Sequence, residues 1–107
     1  MQFSGCELMF EHLMVDGSSL ALSEGCNFVR QKFSAFWLFD LIGSYQYKIK
    51  DEQFQIWDLV KSGDSAVIKC NSVNLVHLVT QDIPYTDFPF DITIWQIKGV
   101  CLLPSEY

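Results

Sequence analysis

Apolar and polar residues alternate through "CELMFEHLM", residues 6–14. Leu8, Phe10, His12 and Met14 share one face, and Glu7, Met9 and Glu11 share the other. A period of two predicts a half-buried strand. Asp16-Gly17 then marks a hairpin turn, and "SLAL" supplies a short return strand. The period changes after Ser23, a suitable helix N-cap followed by Glu24, an acid placed where the helix dipole favours one. Val29, Phe33, Trp37, Leu41 and Tyr45 recur at four-residue steps, flanked by Phe36, Phe39 and Ile42. This predicts helix from Cys26 to Tyr45, either one long helix or two meeting near Ser34. Arg30, Gln31 and Lys32 make its first half amphipathic. "AFWLFDLIGSYQ" is apolar nearly all round, so the second half is expected to be central and buried, with Trp37 in the core.

Strands are predicted for the remainder. "FQIWDLV" (54–60), "AVIKC" (66–70) and "VNLVHLV" (73–79) are separated by turns, and "ITIWQIKGVCLL" (92–103) carries Gly99 as an expected bulge. Short turns between consecutive strands give a meander. The order β-β-α-β-β-β predicts an α+β fold: an antiparallel sheet, built from an N-terminal hairpin and a C-terminal meander, with one or two helices packed on one face.

The segment "QDIPYTDFPFD" interrupts that meander and is far longer than a tight turn. Pro84 and Pro89 restrict φ and draw Ile83 and Phe88 towards extended backbone, so the loop is expected to be stiff. Tyr85, Phe88 and Phe90 can fold inward as plugs of a preformed corner. Alternatively Tyr85, Thr86, Asp87 and Asp91 form a recognition surface on a rigid support.

Composition narrows the picture. A chain of 107 residues, half of them hydrophobic and only 19% charged, is expected to form a single domain over 1–107 with a core that needs no metal, cofactor or disulfide. Aromatics reach 15%, so rings must supply much of the burial. Seven basic against thirteen acidic residues give a net charge of −6, which argues against direct nucleic-acid binding and against an anionic membrane surface. No apolar run approaches ~18 residues, and "MQFSGCELMFEHLM" lacks the basic and apolar regions of an export signal. The expected setting is the cytoplasm, with Cys6, Cys26, Cys70 and Cys101 as buried apolar residues or thiols.

No phosphate loop, Cys-x-x-Cys pair or nucleophile motif occurs. His12 and His77 are the only histidines, each on an alternating strand. Asp40, inside "WLFDLI", demands a hydrogen-bond partner if buried. Three functions follow. The first is a non-enzymatic binding or accessory domain acting on a protein partner through the loop 82–91 and the tail "LLPSEY". The second is an acidic decoy of a nucleic-acid-handling protein, which requires the acids on one face. The third is a small enzyme using Asp40, Asp87 and a histidine, which requires those groups to converge. Trp57 and Trp95, read as exposed strand aromatics, point to a homodimer.

Taken in order, "GCNFVRQKFSAFWLFDLIGSYQ", "FQIWDL", "IPYTDFPFD" and "LLPSEY" resemble a family of short uncharacterised bacterial proteins, a domain of unknown function. Its members carry "YWLxDxI", "QxIPYTDFPL" and "LPSEY". Here Phe36 stands where Tyr is usual and Phe90 where Leu is common. The resemblance covers nearly all of the chain after about residue 20. It implies one bacterial domain and carries over no catalytic residue, cofactor or ligand.

Overall fold

A computed structural model describes residues 9–14, 16–49 and 51–107. The N-terminal hairpin forms as expected. β1 (Phe10–Leu13) pairs antiparallel with β2 (Ser19–Leu22), His12 opposite Leu20. Gly17 takes φ 91, and Asp16 Oδ1 accepts bonds from the Ser18 backbone N–H and hydroxyl, which closes the turn. The part of the predicted strand at residues 6–8 lies outside the described residues.

The helical region divides where two readings were open. α1 (Glu24–Lys32) starts at Ser23, whose Oγ accepts from Cys26 N at 3.1 Å. It ends because Ser34 adopts φ 51 and Ala35 N donates back to Arg30 O at 2.9 Å, a Schellman closure. Glycine usually holds that left-handed position, and a serine there is a weak stop signal in sequence. α2 (Phe36–Ser44) follows, then a short α3 (Gln46–Ile49). Replacing Ser34 with Gly should raise stability by about 1 kcal/mol, measured as a higher melting temperature, because the left-handed backbone costs a β-carbon about that much.

The rest of the chain forms β3 (Phe54–Ser62), β4 (Ser65–Ser72), β5 (His77–Ile83), β6 (Ile92–Ile97), β7 (Val100–Leu102) and a 3-10 turn at Pro104–Glu106. The sheet has seven strands in the order β1-β2-β7-β6-β3-β4-β5. This corrects the antiparallel reading. β2 runs parallel to β7, with Ala21 beside Val100 and Leu22 beside Cys101, so the sheet is mixed though mostly antiparallel.

The meander also needs correction. β3, β4 and β5 follow one another, but β6 returns to pair with β3. β5, "HLVTQDI", has the polar positions of an edge strand, whereas β6, "ITIWQI", has apolar residues on both faces and occupies the interior of the sheet. Gly99 is not a bulge. Lys98 (φ 51) and Gly99 (φ 85) are consecutive left-handed residues, and they fold the predicted long strand into the β6–β7 hairpin.

Strand register places the three helices on one face. His12 meets Arg30 of α1, Tyr45 meets Trp57, and Gln46 meets both Gln55 and Gln96. Between the layers lie Leu22, Leu59, Ile68 and Ile94 from the sheet and Leu38, Phe39 and Ile42 from α2. Trp57, expected on an exposed face, is only 1% exposed, because strand parity turns it towards the helices beside Gln55 and Leu59. Trp37 is half-buried and packs at the margin, while the next two residues, Leu38 and Phe39, take the centre.

Candidate functional site

Because β6 pairs with β3, the segment after β5 must cross the end of the β3–β4 hairpin. Its length follows from that crossing. Thr86 N donates to Asp64 O at 2.7 Å, and Lys61 Nζ donates to Thr86 O at 3.1 Å. Thr86 Oγ1 accepts from Phe88 N at 3.1 Å, and Asp91 Oδ1 accepts from Lys61 N at 2.7 Å. Phe88 is buried against Phe33, Trp37 and Phe90, with ring centroids 5.6, 6.5 and 5.0 Å away. Thr86 is itself buried, so Thr86 and Asp91 hold the corner together. Tyr85, at 72% exposure, and Asp87 project from it. Phe90 rests edge-on against Phe33 yet stays 43% exposed, less sealed than the plug role required.

A second constellation forms where β1 meets the helices. His12 is buried between the rings of Phe36 and Phe39. Its Nδ1 lies 3.1 Å from Arg30 Nη1, and its Nε2 lies 2.7 Å from Asp40 Oδ1. A guanidinium can only donate, so Nδ1 must accept. The proton therefore sits on Nε2 and points at the Asp40 carboxylate. Arg30 is held in turn by Asn27 Oδ1 at 2.7 Å and Glu11 O at 3.2 Å, with its guanidinium carbon 5.3 Å from the Phe36 ring centroid. Its Nε is buried without a partner among the described residues. The sequence placed Arg30 on an amphipathic helix with Gln31 and Lys32. It is buried because it stands one helical turn after Cys26, on the same inward stripe.

Asp40 faces outward, its side chain 55% exposed. It lines a groove of about 590 Å³ between the β1–β2 turn (Met14, Asp16, Ser18) and the end of the helical layer (Gly43, Ser44, Gln46, Tyr47). The Met14 side chain packs where a β-carbon on Gly43 would stand, so a larger residue at 43 would make the end of that side chain move. Asp16, on the rim, has its carboxyl held below the usual range by the Ser18 hydroxyl and then by the Ser18 N–H.

Of the three groups an enzyme would need, only Asp40 and one histidine meet. His77 lies on edge strand β5, where Nε2 is 2.8 Å from Thr80 Oγ1, and Asp87 lies in the crossover. No group of three or more metal-binding side chains converges among the described residues. No helix among them is long and apolar enough to cross a membrane.

Two polar networks were not legible. Gln46 and Gln55 exchange amide bonds at 2.9 and 3.0 Å, and Gln96 donates to Gln46 Oε1 at 3.1 Å. Gln55 Oε1 also takes the indole N–H of Trp57 at 3.0 Å. These bonds satisfy polar groups that strand parity buries. The tail is the other case. Glu106 Oε1 accepts from Ser23 Oγ at 2.6 Å and Leu103 N at 2.8 Å, and Oε2 accepts from Gly25 N at 2.9 Å. "LPSEY" thus clasps the start of α1.

Cys26, Cys70 and Cys101 are buried, and Cys6 lies outside the described residues. Burial, with Glu52 and Asp58 adding to it, pushes the Cys70 thiol up to about 12 from 9.0. Burial, then Cys26, pushes Cys101 well above its ordinary value. The native Cys70 thiol stays protonated where the unfolded one ionises. Its contribution to stability is complete below pH 9.0 and is lost as pH rises from there towards about 12. Labelling of native protein by a thiol-specific reagent at pH 8 should be slow at Cys70 and Cys101 and become fast on denaturation.

Fold and site together describe a small α+β domain with one mixed sheet, a single helical layer and two exposed features, a pinned crossover and an acidic groove. The chain belongs to a family of unknown function, DUF6876, whose model matches residues 1–107. No curated protein and no solved structure matches it.

Proposed function

We propose that the protein is a non-enzymatic binding domain that presents Tyr85 and Asp87 to a protein partner in the bacterial cytoplasm. One observation carries this reading. Every other polar side chain of the crossover between Pro84 and Asp91 is spent on holding its shape, while these two are exposed. A stiff loop loses little entropy when a partner orders it further, so an exposed aromatic and an adjacent acid are placed to bind without a refolding cost. The distribution of acids supports this reading over a decoy. Among the described residues, Glu24 and Asp40 lie on the helical layer while Asp58 lies on the sheet face away from it, so the acids do not gather on one face.

The test combines Tyr85→Ala with Asp87→Ala. Melting temperature should stay within a degree or two of the parent, since exposed substitutions cost little. Capture of partners from the native host, read by mass spectrometry, should be lost. A lower melting temperature, with capture in proportion to folded protein, would reduce the crossover to a structural corner. Capture of the chain by itself would instead point to a homodimer, for which the aromatic cluster of half-buried Phe54 and Trp95 with exposed Tyr107 is the candidate surface.

A further inference from the structure

We propose that the groove at Asp40 is a binding site for a small organic ammonium ion carrying an apolar body, with the Asp40 carboxylate as its anchor. The site is independent of the crossover. Asp40 is no ordinary surface acid. One oxygen receives the Nε2 proton of a buried histidine, whose opposite nitrogen is fixed by a buried guanidinium. Rotation of the carboxylate is therefore restrained from behind by a chain that runs Asn27, Arg30, His12, Asp40 across three elements. A surface aspartate normally loses side-chain freedom on binding a cation, and here that loss is already taken within the fold.

The remainder of the groove sets the ligand class. Asp16 adds a second carboxylate at the rim, and none of the described residues that line the groove is basic. Two carboxylates in the lining favour an ammonium over a phosphate or a carboxylate. The walls at Met14, Gly43 and Tyr47 are largely apolar and complement a hydrocarbon body. The Tyr47 ring is 72% exposed, and the ammonium of Lys48 already stands 5.7 Å from its centroid. A ligand ammonium would take the place of Lys48 at that ring. An anchoring carboxylate held from behind, an apolar wall and an aromatic face together form an ammonium site. A bare metal ion would find too few ligands there, in keeping with the absence of a convergent cluster among the described residues.

The experiment is a titration of the full chain with n-hexylammonium chloride, followed by amide chemical shifts and calorimetry, alongside 1-hexanol and hexanoate. The ammonium should shift resonances of residues 40–47 and of Met14, Asp16 and Ser18. The alcohol should bind at least roughly tenfold more weakly, and the carboxylate should produce no shifts there. Asp40→Asn keeps the shape, removes the charge and should weaken hexylammonium roughly tenfold or more. Tyr47→Ala, at an exposed position that leaves the fold intact, should weaken it about threefold to fivefold and covers the case in which Asp40→Asn lowers stability. Asp87→Asn should leave the affinity unchanged. Equal binding of alcohol and ammonium, shifts confined to other surfaces, unaltered affinity in both Asp40→Asn and Tyr47→Ala, or no response at millimolar probe would overturn the proposal.

Discussion

Trp57→Ala should cost the protein a large share of its stability and lower its melting temperature well below that of the parent. The indole is 1% exposed and bonds to Gln55 Oε1 at 3.0 Å. Removing it opens a cavity between sheet and helices and leaves that acceptor short of a donor. Large-to-small changes of this kind cost about 3–5 kcal/mol, and a small domain has about 5–15 in all. Trp37→Ala is the control. By sequence alone it carries the same expected loss, but its half-buried ring at the margin of the core should cost roughly half as much, in proportion to the apolar area removed. Urea denaturation of the two variants decides the matter. A Trp37 variant weaker than the Trp57 variant would mean that the centre of the core lies elsewhere.

The tail should show the second largest effect. Glu106→Ala removes three bonds to one carboxylate and leaves the Gly25 N–H of the first turn of α1 without its acceptor, and should cost about 2–3 kcal/mol. Gly25 makes the test specific. A methyl group there would meet the Glu106 carboxylate at 2.7–2.8 Å, so Gly25→Ala should destabilise the parent protein. In the Glu106→Ala background the obstruction is gone, and the same change should stabilise by up to about 1 kcal/mol through helix propensity alone. A change of sign between the two backgrounds is the signature of the clasp. Equal effects in both would mean that the tail does not rest on α1 in solution.

Much of what depended on neighbours a few residues apart was legible in the sequence. The alternation around His12, the Asp16-Gly17 turn and the Ser23 cap follow from strand parity and turn chemistry, which act within a turn or two of the chain. The break at Ser34 stayed open because a serine took the position that glycine normally marks. Gly99 was misread because a positive-φ glycine serves a bulge and a hairpin equally well. Of the candidate loop, the burial of Phe88 could be foreseen, but not the division of labour between Thr86 and Asp91, which bond within the corner, and Tyr85 and Asp87, which project.

Tertiary structure alone decided which elements became neighbours. A hydrophobic pattern states which face of a strand is buried and is silent on the strand beside it, so neither β6 beside β3 nor the parallel pairing of β2 with β7 could be read from it. The same holds for the sites. Asp40 and His12 are 28 residues apart and Glu106 and Ser23 are 83 apart, and no local period links them. They meet because buried polar groups must find partners once packing has chosen the layers, and those partners lie wherever the fold brings donors and acceptors together.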